Sequence, residues 1–308
     1  MSKQPGRRPA PKRRPQARKG RAVVAAKSAG KRSDRTSWII AAVVIAIGVA
    51  LVIAFAGGSK TNAGDAIAGR KAAPASVVKK VTSVPVSVIN QVAAGSSTGL
   101  PEKLPGPVLT SAGKPRIFYL GAEYCPYCAT ERWAMVNAFS RFGTFKNLKI
   151  TTSSSTDVDA NTPTFSFFGS TYTSPYITFE PVETEDNQQK TLETPTSEQS
   201  ALVSKYDTAP YVSDSSTSGG TIPFIDFANE YVISGATYDV GVLQGNTHAQ
   251  IAAAFSDPTS SITRGAIGAA NAMTAAVCKL TDNKPAATCS VKAIQTLESQ
   301  LPTKPPTA

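Results

Sequence analysis

One short stretch constrains the fold of this chain more than any other: Gly121-Ala122-Glu123-Tyr124-Cys125-Pro126-Tyr127-Cys128. The apolar run Ile117 to Leu120 leads into it, and a helix-compatible segment leaves it from Cys128 without a break. A strand, a cysteine pair and a helix therefore follow one another directly. In that layout Cys125 sits at the helix N-terminus, where unpaired backbone N–H groups and the helix dipole favour a thiolate over a thiol. Cys128 lies about one turn further on, close enough to close a small disulfide ring. Pro126 falls in the first turn, where no N–H is missed.

The formal charge of +11 suggests a nucleic-acid binder until it is divided by position. Residues 1–37 hold 13 Lys and Arg against the single acid Asp34, so the leader carries +12 and the rest of the chain −1. The basic excess belongs to a tail rich in Arg, Lys, Pro and Gly that is expected to be disordered; it says nothing of a nucleic-acid groove on the folded part, and no nucleic-acid partner is expected.

Trp38 to Ala56 is uncharged throughout and, at about 1.5 Å per residue, long enough for the roughly 30 Å hydrocarbon core. Basic residues flank only its N-terminal side, which predicts a cytoplasmic N-terminus and a domain outside the cell membrane. The competing reading is a cleaved signal peptide, for which Ala54-Phe55-Ala56 is a small-x-small site; the apolar segment exceeds the usual h-region and the leader is unusually long. The expected organisation is a basic cytoplasmic tail 1–37, a transmembrane helix 38–56, a flexible linker 57–75, a domain 76–301 and a frayed tail 302–308.

Within the domain, Val77 to Ala93 reads as a strand and a short helix around Pro85, and Gly95 to Pro107 as a loop. Arg116 to Leu120 is a strand and Ala129 to Phe142 a helix stopped by Gly143. Leu148 to Thr151 is expected as a second strand, parallel to the first through a right-handed crossover. Phe165 to Phe179 suggests two strands whose aromatics fill a core, with a peptide-binding rim at Tyr172 or Tyr176 as the lesser alternative. Glu193 to Tyr206 reads as a helix. A β-hairpin follows from Ile222-Pro223-Phe224 through an Ala-Asn-Glu turn. Thr247 to Gln250 has the capping-box pattern, which makes His248 an exposed first-turn residue rather than a base. Helices near 260–278 and 290–301 close the chain, and Gly265 and Gly268 permit close backbone approach.

The cysteines fall into two pairs. Cys278 and Cys289 flank a short loop between helices and read as a structural disulfide worth about 2–3 kcal/mol. For Cys125 and Cys128, half a zinc site, a structural bridge and a redox dithiol are all open. Zinc would need two further ligands where the chain offers one His and a cysteine pair with ten intervening residues, so no metal is expected. Placement at a helix start creates an electropositive thiol that a structural bridge does not require.

Ala122-Glu123-Tyr124-Cys125-x-x-Cys128 after an apolar strand is similar to the thioredoxin signature, and Cys125-Pro126-Tyr127-Cys128 carries the dipeptide of glutaredoxins. Thr221-Ile222-Pro223, about a hundred residues later, looks like the cis-proline segment that faces the cysteines in that superfamily. Over the whole chain the resemblance is to a membrane-anchored group of thioredoxin-like proteins described only as a domain of unknown function (DUF929-like). It implies an α/β, thioredoxin-like fold with an enlarged middle segment and extra C-terminal helices. It also implies catalytic Cys125 and Cys128, and substrate contacts from Tyr124, Pro126, Tyr127, Ile222 and Pro223. Two positions depart from the pattern. The superfamily's buried acid is Tyr119 here, which removes a proton acceptor for the resolving thiol, and its mid-helix proline is Trp133, which predicts an unkinked helix. Glu123 reads as a solvated surface acid, since a base so near would also oppose a thiolate.

The function expected is a membrane-tethered thiol-disulfide oxidoreductase acting on thiols or disulfides of exported proteins, without a cofactor. If it oxidises them, a quinone-linked thiol oxidase of the membrane is the partner that its compartment suggests. The alternative is a redox-inert module that keeps the fold and binds a partner at the cell surface.

Overall fold

A computed structural model describes residues 69–212 and 221–307 of the 308. All belong to the unit Thr61–Ala308; the other unit, Met1–Lys60, lies wholly outside them. The basic leader, the apolar segment Trp38 to Ala56 and the linker up to residue 68 are thus outside the described residues. Among those described, no helix is long and apolar enough to cross a membrane.

The architecture is mixed α/β. In chain order the N-terminal half forms β1 (Lys71–Ala72), α1 (Ala75–Thr82), α2 (Val86–Val92), β2 (Glu102–Lys103), β3 (Thr110–Ser111), β4 (Lys114–Gly121) and α3 (Pro126–Ser140). Then come β5 (Thr144–Lys146), β6 (Lys149–Thr152), β7 (Pro163–Ser166), β8 (Thr171–Thr173), β9 (Thr178–Glu183) and α4 (Ser197–Tyr206). The chain ends with β10 (Phe224–Phe227), β11 (Tyr231–Ser234), α5 (His248–Ala254), α6 (Ser261–Leu280), α7 (Ala286–Cys289) and α8 (Lys292–Gln300).

The central sheet is built on β4. It pairs in parallel with β9 on one side and antiparallel with β10 on the other, and β11 and β2 continue beyond β10. Alternation along the strands divides the core. Ile117, Tyr119, Ile225, Phe227 and Ile233 face a large core shared with α3 and α6, whereas Phe118, Phe224 and Val232 face a smaller one closed by Val203 and Tyr206 of α4. Ile117, Phe118 and Tyr119 all have no exposed surface, as a strand covered on both faces requires.

Several expectations need correction. Val77 to Ala93 holds no strand: Val77 and Val81 lie one helical turn apart, as do Val88 and Val92, and all four are buried on α1 and α2 with Pro85 between the helices. Leu148 to Thr151 does give a strand, β6, but β6 sits in a separate antiparallel sheet between β1 and β7. The parallel neighbour of β4 is β9 instead, reached only after the excursion through β5 to β8. The aromatic stretch contributes to three strands rather than two, since β9 runs on past Phe179 to Glu183. The described part of the expected linker begins at Gly69, with Arg70 buried and β1 paired to β6. The helix expected from Glu193 starts at Ser197 behind a Thr196–Gln199 capping box, because Leu192 and Glu193 extend along β9 through bonds to the Thr184 and Glu183 carbonyls.

Other readings stand in the structure. The turn after β10 holds Ala228 and Asn229 at positive φ, α5 opens with the Thr247–Gln250 capping box, and α3 continues through Trp133 to Ser140. Gly268 packs so closely that a methyl group there would stand 2.2 Å from the Ala94 carbonyl oxygen. Cys278 and Cys289 are bonded to each other, with Cα atoms 5.6 Å apart, joining the last turn of α6 to α7.

Candidate functional site

The site grows from the junction of β4 and α3. Cys125 is the N-cap of α3, with Pro126 at the first helical position, and its Sγ accepts a hydrogen bond from the Cys128 N–H at 3.3 Å. The Cys125 thiol in turn points at the Ile222 carbonyl oxygen, 3.6 Å away. The Ile222-Pro223 peptide is cis and lies just before β10, so the hairpin β10–β11 delivers that carbonyl to the sulfur. Cys125 retains 5% of its surface and Cys128 none, which leaves Cys125 as the sulfur a second molecule can reach. Both are free thiols.

The two sulfurs are pushed apart chemically. Hydrogen bonding from Cys128 lowers the Cys125 pKa against the cost of burial, with further help from the charge of Arg132. Burial pushes the Cys128 thiol well above its ordinary range, and its interaction with Cys125 adds to the rise. The pair is thus a slightly exposed thiol of lowered pKa beside a fully buried one of raised pKa.

Behind the pair lies a set of buried charges. Arg132, one turn beyond Cys128, has no exposed surface and forms a bidentate ion pair with Glu183 at the end of β9, at 2.8 and 2.6 Å; Nη2 also donates to the Ala122 carbonyl at 2.8 Å. Glu123 is buried too, against the expectation of a solvated acid. It accepts from Arg70 and from Ser166 Oγ, and its pKa is raised by burial and by the nearby Glu183 charge. Arg70 is the residue that converts an apparent surface acid into an internal one.

Tyr119 stands on β4 with no exposed surface, and its hydroxyl has no hydrogen-bond partner among the described residues. A methyl group at Gly121 would lie 2.0 Å from Tyr119 Oη and 3.1 Å from Cys128 Sγ, so glycine is what lets the phenol and the sulfur share this space.

A cavity of about 810 Å³ opens beside the cysteines. Tyr127 and Ile222 line its near end, and Tyr211, Ile233, Thr237 and Tyr238 line its body. Its charged lining residues are Glu102, Asp159 and Asp239, with no Lys or Arg among those described. Of the expected substrate contacts, Tyr127 is 44% exposed and Ile222 is half-buried, both on the cavity; Pro126 and Pro223 are buried and do not line it, and Tyr124 is half-buried, its carbonyl bonded to Ser154 N–H. Tyr172 turns away from this region and donates to the Phe139 carbonyl at 2.9 Å, and Tyr176 packs on the large core. His248 occupies the expected first turn of α5 but is half-buried, its Nε2 2.8 Å from the Thr151 carbonyl and 3.0 Å from that of Thr164, with a pKa lowered by burial. No group of three potential metal ligands occurs among the described residues.

A family model described as "Domain of unknown function (DUF929)" matches residues 103–279, more than half of the chain. The chain belongs to the DUF929 family. The matched span contains Tyr119, both cysteines of the site, Arg132, Glu183 and Pro223, while Arg70 and Cys289 lie beyond it. No curated protein and no solved structure matches the chain.

Arg132 and Glu183 were not singled out from sequence. A signal exists in retrospect: Glu131-Arg132 are the only charges in a helix whose residues Cys128 to Phe139 are all buried, and charges with no solvent face must find internal partners.

Proposed function

We propose that this DUF929 protein is a thiol-disulfide oxidoreductase of thioredoxin type. The observation that carries the reading is the position of Cys125 Sγ, capped by the Cys128 N–H and held 3.6 Å from the carbonyl that precedes a cis-proline. The strand order supports it, with the cysteines between β4 and the helix that crosses to one face, a parallel β9 on one side of β4 and the antiparallel hairpin β10–β11 on the other.

In this reading a substrate thiolate attacks Cys125 Sγ of the oxidised pair. A substrate–Cys125 disulfide forms, the Cys125–Cys128 bond breaks, and the electron pair leaves on Cys128. In the opposite direction Cys125 attacks a substrate disulfide, and Cys128 resolves the mixed disulfide by attacking Cys125 and expelling the substrate thiolate. The acidic Cys125 suits both attack and departure, and the acid-lined cavity beyond Tyr127 and Ile222 gives the rest of a polypeptide substrate a place to lie. The proposal extends to location: Trp38 to Ala56, with basic residues on one side only, would tether the domain outside the membrane, where exported proteins are the substrates and a quinone-linked thiol oxidase is a fitting electron acceptor.

The test is an alkylation gel-shift across a redox-buffer series. Cys125 and Cys128 are expected to gain and lose the label together at one potential, and Cys128→Ser is expected to trap a mixed disulfide that Cys125→Ser cannot form. A pair that stays reduced, or stays oxidised, at every accessible potential would overturn the reading and leave a redox-inert binding module.

A further inference from the structure

We propose that the Tyr119 hydroxyl is the hydrogen-bond donor that receives the Cys128 thiolate when the Cys125–Cys128 bond opens. This deepens the oxidoreductase reading and rests on it for its consequence.

Buried phenols normally have a partner, and Tyr119 Oη has none among the described residues. The atom it shares space with is Cys128 Sγ, the two converging on the point where Gly121 lacks a side chain. The ring is fixed for this task. It packs edge-on against Phe167 at 5.5 Å, and the Arg132 guanidinium lies 5.9 Å from its centre. Arg132 is committed through Nε and Nη2 to Glu183 and the Ala122 carbonyl while its Nη1 has no partner among the described residues, so it supplies charge to the region and Tyr119 supplies a directed O–H beside the sulfur.

The charged and titratable groups that face the sulfur and the phenol are Cys125 and Arg132 on α3 and Glu183 on β9. Burial holds the Tyr119 proton far above the ordinary phenol range. Tyr119 therefore cannot take a proton from Cys128 near neutral pH; it stays a donor.

When a substrate thiolate attacks Cys125, the bond to Cys128 breaks and Cys128 keeps the electron pair. This thiolate forms where solvent does not reach, since Cys128 has no exposed surface. A phenol O–H turned onto the sulfur offsets the lost solvation at that moment, and charge-assisted bonds of this kind are roughly twice as strong as neutral ones. By microscopic reversibility the same bond steadies the Cys128 thiolate that resolves a mixed disulfide. No neutral Cys128 thiol requires it, which accounts for an orphan hydroxyl in the reduced form.

The experiment compares the unmutated protein, Tyr119→Phe, and a protein carrying 3-fluorotyrosine at position 119, whose ring fits the same space with a more acidic hydroxyl. The rate at which a small dithiol opens the Cys125–Cys128 disulfide is measured for each, with the alkylation rate of Cys125 in the reduced protein as the control. Tyr119→Phe is expected to slow opening about tenfold or more, fluorotyrosine to quicken it, and Cys125 alkylation to stay unchanged. Opening at the unmutated rate in both altered proteins would overturn the proposal, and so would a slowing matched by an equal fall in Cys125 alkylation. If Tyr119→Phe does not fold, the fluorotyrosine protein decides alone. A disulfide that never forms or opens in the unmutated protein would instead be the failure of the oxidoreductase reading.

Discussion

The molecule holds two cysteine pairs, all four residues buried, and the pairs differ in the electrostatics of their helix ends. Cys278 belongs to the last turn of α6, where the helix dipole is negative, and it is bonded to Cys289 inside the large core. Cys125 caps the start of α3, where the dipole is positive and an N–H points at the sulfur, with Arg132 one turn behind Cys128. A thiolate is disfavoured at Cys278 and favoured at Cys125. The same element is thus a staple at one helix end and a candidate reactive group at another, and the end of the helix makes much of the difference.

That contrast can be strained at three points. The largest effect is expected at Arg132. Replacing it with Met leaves Glu183 buried and unpaired, which should lower the unfolding free energy by about 3–5 kcal/mol in a urea titration. The same change should raise the Cys125 thiol pKa in part, because the hydrogen bonding from Cys128 stays while the added help of the Arg132 charge is gone. A companion Arg132→Met, Glu183→Leu protein should recover most of the stability but not the acidic thiol. Recovery of both would mean that the helix end alone sets the Cys125 environment.

Next in size is the staple. Cys278→Ala with Cys289→Ala should reduce stability by about 2–3 kcal/mol and leave the Cys125 alkylation rate within about twofold. A loss of Cys125 reactivity in a protein still folded would erase the distinction drawn between the pairs.

The smallest effect concerns Glu131, also on α3. Its Oε1 accepts from the Thr237 backbone N–H and hydroxyl, and burial raises its pKa to about 7 from an ordinary 4.5. The folded protein then holds a proton that the unfolded chain has released between those values. The stabilising contribution is full below the unfolded value and lost as pH rises through about 7. Glu131→Gln should flatten that part of the stability profile. The flattening is partial, because Asp226, raised by burial to about 7, acts with the same sign. An unchanged profile of urea midpoints would show that Glu131 is charged in the fold.

What the sequence revealed, and what it hid, divides along contact range. The α3 start, the β10–β11 hairpin and the Thr247 capping box were legible because each is set by residues a few positions apart. The partner of β4 was not. Leu148 to Thr151 has the right composition and the right place after a crossover helix, but pairing is decided by which strand covers the edge, and β9 does so after an excursion that no local rule announces. Glu123 was misread for a related reason. An acid beside a cysteine looks solvated until Arg70, distant in the chain, folds over it, and His248 is likewise half-covered by carbonyls of β6 and β7. Tyr119 was visible as a departure from the thioredoxin pattern, while its nearness to Cys128 required the geometry at Gly121.

Gly121 also ties two sites of variation together. As long as a tyrosine stands at 119, any side chain at 121 collides with its hydroxyl, so Gly121→Ala should be severely damaging in this background. With a short residue at 119 the two nearest of the alanine's contacts vanish, and the next, the Cys128 sulfur at 3.1 Å, is one that a small shift can relieve.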